Sequence, residues 1–247
     1  MHKVALGLLV LSCSIMSAAH AEDAVEEGRW SGDVTLGYLS TTGNTEDTTA
    51  DLDFKVALTV KPWGHSFKAR AYGASTNEVT TAESYKAGWK STYDFDDRNY
   101  SFGALDWNKD RFSGYTRQTF ATIGYGRRIL NNETFELNAE VGVGYAKQRT
   151  AEVVGPPLVP AVSEDGAAGT LGGNFLWNIS ETAAFEQTLY IFTASDNTFW
   201  ESVSKLKASL VGNLGLSLSY TVKQNTDVPP GTDKTDTLTS IGLTYAF

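Results

Sequence analysis

The sequence predicts an all-β fold, a transmembrane antiparallel up-and-down β-barrel of about twelve strands behind a cleaved signal peptide. Three observations point there. After residue 29, apolar and polar residues alternate with a two-residue period, broken at regular intervals by Gly, Asn, Asp, Pro and Thr clusters. Short and long breaks take turns along the chain, as they do when turns and loops occupy opposite rims of a barrel. The 247-residue chain also opens on an export-like segment and stops on an aromatic residue that ends an alternating run.

The opening segment has a basic start at His2 and Lys3, an apolar run from Val4 to Leu11, and small residues leading to Ala19-His20-Ala21. This is the order a signal peptidase reads, and it sets the domains as residues 1–21, a signal peptide, and 22–247, the barrel. The run is far shorter than the roughly 20 residues a spanning helix needs. Processing as a lipoprotein at Cys13 is the rival reading, and it discards the better site downstream. Cleavage after Ala21 removes the single cysteine and two of the three histidines, so the mature chain has no thiol for a disulfide or a cysteine metal site. It also removes Lys3, leaving 19 basic residues against 29 acidic ones, a net charge of −10. Such acidity argues against nucleic acid as a partner.

The first strand, from Trp30 to about Ser40, sets Trp30, Val34, Leu36 and Tyr38 against Ser31, Asp33 and Thr35. The second, about Thr49 to Val60, has the cleanest pattern, with Leu52, Phe54, Val56, Leu58 and Val60 opposite Asp51, Asp53, Lys55 and Thr59. The third (about His65 to Ser75) opposes Phe67, Ala69 and Ala71 to Lys68, Arg70 and Tyr72. The fourth (Ala82 to Phe95) opposes Tyr85, Ala87, Trp89, Tyr93 and Phe95 to Lys86, Lys90 and Asp94. The fifth, Tyr100 to Lys109, has no assigned facing, because Tyr100, Phe102 and Ala104 compete with Leu105 and Trp107 for the apolar side. The sixth (Thr119 to Leu130) shows Ala121, Ile123, Tyr125 and Ile129, with Arg127 as an exception. The seventh (Thr134 to Lys147) sets Phe135, Leu137, Val141, Val143 and Tyr145 against Glu136, Asn138 and Glu140. Small residues Gly142, Gly144 and Ala146 follow on its polar face. The eighth (Ala167 to Ile179) carries Leu171, Phe175, Trp177 and Ile179 on one side; three more fall near 183–194, 198–211 and 213–224. The last runs from Thr235 to the end, with Ile241, Leu243, Tyr245 and Phe247 in alternation.

Tight turns are expected at Pro62-Trp63-Gly64, Asp96-Asp97-Arg98, Asn131-Asn132, Ser180-Glu181 and Gly212-Asn213. Longer polar loops are expected at Thr41–Asp47, Thr76–Thr81, Phe112–Arg117, Ala151–Gly166, Ser195–Asn197 and Asn225–Lys234. Periodicity alone does not separate a barrel in lipid from a soluble sandwich or lipocalin, which turns its apolar face inward. Strands of about 11 to 14 residues suit a tilted span better than a sandwich. Aromatics gather near strand ends: Trp30, Trp63, Phe95, Tyr100, Phe135, Trp177 and Phe247 near the short-turn rim, Trp107, Phe112, Tyr115, Phe199 and Trp200 near the other, in two girdles. The terminal Ile241, Leu243, Tyr245 and Phe247 have the form of an outer-membrane assembly signal, which makes the assembly machinery and outer-membrane lipids the expected partners.

Three stretches resemble one family: Gly37-Tyr38-Leu39-Ser40-Thr41-Thr42-Gly43-Asn44-Thr45, Ala82-Glu83-Ser84-Tyr85-Lys86, and Lys109-Asp110-Arg111-Phe112-Ser113-Gly114-Tyr115. The chain is similar over most of its mature length to the salt-induced outer-membrane proteins grouped as domain of unknown function 481. That resemblance implies an outer-membrane location in a Gram-negative envelope and a link to salt or osmotic stress. It implies no activity and transfers no functional residues.

Ten charges are expected to face the lumen: Asp33, Asp53, Lys55, Lys68, Arg70, Lys86, Lys90, Arg128, Glu136 and Glu140. Both signs occur on neighbouring strands, so one reading has ion pairs cross-linking the wall and relieving the cost of enclosing charge. The other has a narrow hydrated pore in which cations at Lys68, Arg70, Lys86 and Lys90 face Glu136 and Glu140 across a transverse field. The two are compatible.

No catalytic constellation is evident, because only His65 survives signal removal and it sits beside a turn. Asp227, Asp233 and Asp236 flank Pro229-Pro230-Gly231 without the spacing of a calcium loop, so neither a metal nor a cofactor is expected. Ile123-Gly124-Tyr125-Gly126 looks like a potassium filter only superficially; on a strand it is ordinary alternation. The leading expectation is a non-enzymatic outer-membrane barrel, a narrow channel or envelope-integrity protein with an unspecified solute. A surface hydrolase on a small barrel and a periplasmic barrel binding a small ligand are the alternatives.

Overall fold

The computed structural model describes residues 28–41, 46–152, 158–194 and 197–247. The expected signal peptide, with Ala19 and Ala21, lies outside the described residues, as do residues 42–45 of the first family-like stretch. Twelve antiparallel strands form one closed barrel, each paired with its sequence neighbours: β1 (Trp30–Thr41), β2 (Asp47–Val60), β3 (Trp63–Thr76), β4 (Val79–Asp94), β5 (Asn99–Asp110), β6 (Tyr115–Asn131), β7 (Phe135–Thr150), β8 (Ser163–Ser180), β9 (Ala183–Ala194), β10 (Asn197–Val211), β11 (Leu214–Asn225) and β12 (Thr235–Ala246). β1 closes the ring against β12 through five register pairs, Asp33↔Ala246 to Gly37↔Gly242, the shortest seam in the sheet. Closure leaves no unpaired edge, the condition for crossing hydrocarbon with strands.

The alternation sets the facing of every strand. Leu36, Leu52, Phe67, Trp89, Ile123, Val143, Leu171, Leu216 and Leu243 lie exposed on the outer surface, while their sequence neighbours point into the lumen. A soluble barrel would show the reverse. The terminal Tyr245 and Phe247 also point outward. At the short-turn rim Trp63 meets Tyr93 edge-on with centroids 5.0 Å apart, and Phe135 stacks on Trp177 at 6.1 Å. These rings form an aromatic girdle at that rim.

Several expectations need correction. Tyr100, Tyr115 and Phe199 do not belong to the girdles: all three are buried inside. The facing of β5 is settled by Gly124 and Gly126 on β6, which leave the space that Phe102 and Tyr100 fill; a Cβ on Gly126 would lie 2.3 Å from the Tyr100 ring. Tyr100 and Phe102 therefore go inward, and Leu105 and Trp107 outward.

Two of the expected long loops also shrink. Asn77 and Glu78 adopt positive φ of 49° and 64°, a two-residue turn of the mirror-image type that hairpins favour, so β3 and β4 run almost to its ends. Asn197 is the first residue of β10. Likewise Tyr115 already belongs to β6, Trp63 begins β3, and β8 extends to 18 residues. The segregation survives in the spacing of the strands: between β1 and β2, β5 and β6, β7 and β8, and β11 and β12 the chain has four or more residues to span at one rim, up to the nine of 226–234 among fully described connections, while connections at the opposite rim never exceed the four of 95–98.

Candidate functional site: a charged lumen beneath an aromatic septum

Twelve strands make a ring intermediate between small barrels filled by side chains and wide porins that leave an aqueous channel. Here long side chains from opposite walls meet. β11, β12 and β1 turn a run of small residues inward, Gly215, Ser217, Ser219, Thr221, Ser240, Gly242, Thr244 and Thr35, which gives room to the lysines and arginine of β2–β4 and β10. Arg70 shows the consequence. Its Nε and Nη2 donate to Oδ1 and Oδ2 of Asp51, both at 2.9 Å, and its Nη1 donates to Thr221 Oγ1 at 3.2 Å from the facing wall. Ser240 donates to the same Asp51 carboxylate from β12.

The Arg70–Asp51 pair joins neighbouring strands, whereas most of the remaining ion pairs bridge non-adjacent ones. Lys55 reaches Glu186 at 3.4 Å, Lys68 Asp106 at 3.2 Å, Lys205 Asp53 at 3.7 Å, and Lys207 both Asp33 at 3.0 Å and Glu186 at 3.8 Å. Lys86 pairs with Glu201 and Lys90 with Glu140, and Tyr100 donates to that same Glu140 at 2.7 Å. Arg128 bonds Asp94 at 2.8 Å, and Lys223 bonds Asp110 at 3.1 Å. Charges enclosed in a low-dielectric wall demand such partners, since an unpaired one costs several kcal/mol, on the order of its effective desolvation penalty.

Nine of the ten charges singled out from the sequence thus lie in the lumen within ion pairs: Asp33, Asp53, Lys55, Lys68, Arg70, Lys86, Lys90, Arg128 and Glu140. Glu136 shares their side of the sheet but sits at the short-turn rim opposite Leu176, without an ion pair among the described residues. The expected opposition of one cationic and one anionic patch reduces to a single contact, Lys90 with Glu140. The other cations meet Asp51, Asp106, Glu186 and Glu201, which the sequence reading left out of the site, as it did Lys205, Lys207 and Lys223. Alternation does place them: Lys205 and Lys207 flank the outward Leu206, and Glu186 precedes Thr188 and Tyr190 on one face.

Towards the long-loop rim the lumen turns apolar. The rings of Phe120, Phe192 and Phe199 stack, with centroids 4.3 Å apart for Phe120–Phe192 and 6.2 Å for Phe120–Phe199, walled by Ala146, Ala168 and Ala194. Nearer the rim lies a layer of buried amides. Gln118 Nε2 donates to Gln148 Oε1 at 2.9 Å and to Asn225 Oδ1 at 3.1 Å, and Asn197 Nδ2 donates to the same two acceptors at 3.1 and 3.0 Å. Together they form a septum spanning β6 to β11.

Below the septum lies a cavity of about 350 Å³, lined by Lys55, Lys68, Arg70, Lys86, Lys90, Lys205 and Lys207 with Asp53, Asp106, Glu186 and Glu201. A second, of about 240 Å³, shares Ser66, Lys90, Asn174 and Tyr190 with it and reaches Arg128 and Asn138 towards the short-turn rim. His65 is elsewhere: it faces outward beside Trp63, with Nδ1 2.8 Å from Ser91 Oγ and no ion pair to a described carboxylate. No group of three or more metal-ligating side chains is gathered among the described residues.

The architecture is that of the outer-membrane β-barrels. Residues 34–247 match the family described as "Protein of unknown function, DUF481", and the chain belongs to that family. A curated relative, the uncharacterized protein YdiY of Escherichia coli (strain K12), is 29% identical over 221 residues, covering 87% of this chain and 82% of its own. Among solved structures, the NanC porin superposes with a TM-score of 0.51 at 12% identity, over 87% of this chain and 98% of the porin. An outer membrane channel from Pseudomonas putida F1 also superposes at 0.51, with 7% identity over 93% of this chain and all of the channel. At such identities the likeness is one of fold.

Proposed function

We propose that this chain is a non-enzymatic barrel of the outer membrane that acts as a narrow channel, exported through the N-terminal signal peptide and inserted by its C-terminal strand. One observation carries the reading: two adjoining cavities lined by charged side chains lie inside a closed barrel whose outer face is apolar. Such a lumen supplies polar partners to a solute that the lipid refuses. The porin-like fold supports the reading, and the link to salt or osmotic stress rests on the family resemblance. The outward position of His65, remote from the lumen charges, speaks against a hydrolase.

The stacked septum favours a second reading, a closed envelope-integrity barrel, because its rings leave the lumen packed across β6, β9 and β10. Planar-bilayer recording of the purified full-length barrel separates the two. Discrete open steps whose amplitude changes on Lys90→Glu support the channel. A barrel that stays silent at every voltage while remaining folded leaves only the structural role.

A further inference from the structure

The geometry points to a binding site for small organic dianions, of the size of a four- or five-carbon dicarboxylate, in the chamber beneath the septum. This deepens the channel reading and rests on it for its physiological sense. By count, the lumen ion pairs are balanced. By access to water they are not. The side chain of Lys68 is 53% exposed against 27% for Asp106, and that of Lys55 51% against 18% for Glu186. Lys207 with Asp33 and Lys90 with Glu140 follow the same order; Lys205 with Asp53 reverses it.

The cause lies in where the pairs are anchored. Asp33, Asp51 and Glu140 partner cations of the chamber without lining it themselves, so seven cations line it against the four carboxylates of Asp53, Asp106, Glu186 and Glu201. A concave site with low-dielectric walls focuses that surplus of positive charge onto whatever solute enters. An ammonium has three donors, and Lys68 spends one contact on Asp106 while its Nζ stands 4.8 Å over the Tyr190 ring. It has capacity left for an incoming carboxylate. A volume of about 350 Å³ falls at the lower end of small-molecule sites, which suits a compact dianion better than a chain of sugars. Phe120 and Phe192 close the far side, so the solute is held in the chamber.

The test is calorimetric titration of the folded full chain in detergent micelles with succinate, and with putrescine as its cationic mirror, at fixed ionic strength. Succinate is expected to bind saturably and putrescine not to. Lys68→Gln combined with Lys55→Gln is expected to weaken succinate at least tenfold, Lys68→Arg to retain it, and Arg111→Gln, outside the chamber, to leave it unchanged. Equal binding of putrescine, absence of saturable succinate binding, or indifference to the double substitution overturns the site. Bilayer recording of the same preparation keeps the two readings apart. A conducting barrel that ignores succinate loses the site and keeps the channel, whereas a silent barrel that binds it keeps the site and loses the channel.

Discussion

Phe247 exchanges two backbone hydrogen bonds with Gly32, each 2.9 Å, extending the seam at which β12 meets β1 by one pair beyond the strand's end. A side chain at position 32 has no room: its Cβ would lie 2.2 Å from the Lys55 carbonyl oxygen and 2.8 Å from the Phe247 ring. Gly32→Leu is therefore expected to strain the shortest seam in the sheet, at about 1–3 kcal/mol for overpacking. A heat-modifiability gel reads the folded fraction after refolding into vesicles. Wild-type yield and an unchanged urea midpoint would show that the seam tolerates the side chain.

Asp51 is the most enclosed carboxylate of the lumen ion pairs and serves Arg70 and Ser240 at once. Removing it in Asp51→Ala leaves the guanidinium buried without its partner, a loss of about 3–5 kcal/mol. Arg70→Lys keeps the charge but gives up the paired geometry, and should fall between this variant and wild type. Urea unfolding in micelles, followed by tryptophan fluorescence, orders the three proteins. An Asp51→Ala variant as stable as wild type would mean that water already screens the pair.

The fold was legible because a half-lipidic strand writes its facing into every second residue, as in Leu52, Phe54 and Val56 against Asp51, Asp53 and Lys55. The pattern failed where the lumen itself is apolar. Tyr100, Phe102, Phe120 and Phe199 point inward for reasons that lie on other strands, in Gly124 and Gly126 or in the ring stack, and no window of β5 or β10 contains those reasons. Pairing across the lumen was hidden for the same cause. Alternation says that Lys86 and Glu201 face inward, but only closure of the ring brings β4 opposite β10. Loop lengths were overestimated where polar residues such as Thr80 and Thr81 continue a strand almost to its turn.

The septum makes its own prediction. Phe192→Ala with Phe199→Ala removes two of the three stacked rings and opens the chamber towards the amide layer. Each truncation costs on the order of 3 kcal/mol in a dry core, less where water floods the gap. Bilayer conductance should rise severalfold, with more frequent open events. Unchanged conductance at unchanged folding would place the barrier elsewhere, with the Gln118–Asn225 layer as the next suspect.

The turn between β4 and β5 is organised by Asp96, whose Oδ1 accepts from the backbone N–H of Arg98 at 2.7 Å and of Asn99 at 2.8 Å. The Asn99 side-chain amide and these two N–H groups favour the ionised form and hold the carboxyl below its usual range. Because the folded value is depressed, the turn's stabilisation is complete above the ordinary aspartate value of about 3.9 and fades as pH drops through the lower folded one. Carbon-detected NMR titration of Asp96 should show a midpoint below that of an unstructured aspartate, and Asp96→Asn should abolish the acid-dependent change in Asn99 amide shift. A normal midpoint would mean that the turn is organised by its backbone alone.

The orientation of the whole barrel is tested by Val143 on β7, which is exposed on the outer surface about midway between the rims. If that surface faces acyl chains, Val143→Arg puts a cation near the bilayer midplane, at about 2–4 kcal/mol. The same arginine at Tyr245, by the short-turn rim, should cost roughly 0–1 kcal/mol beyond the lost packing, because headgroups and water lie within reach. The depth dependence is diagnostic, since a soluble barrel with a solvated exterior would accept arginine equally at both sites. Equilibrium unfolding in vesicles of defined thickness gives the two differences directly. Equal, small effects at Val143 and Tyr245, with folding in plain buffer, would place the apolar exterior in water and remove the bilayer from the account.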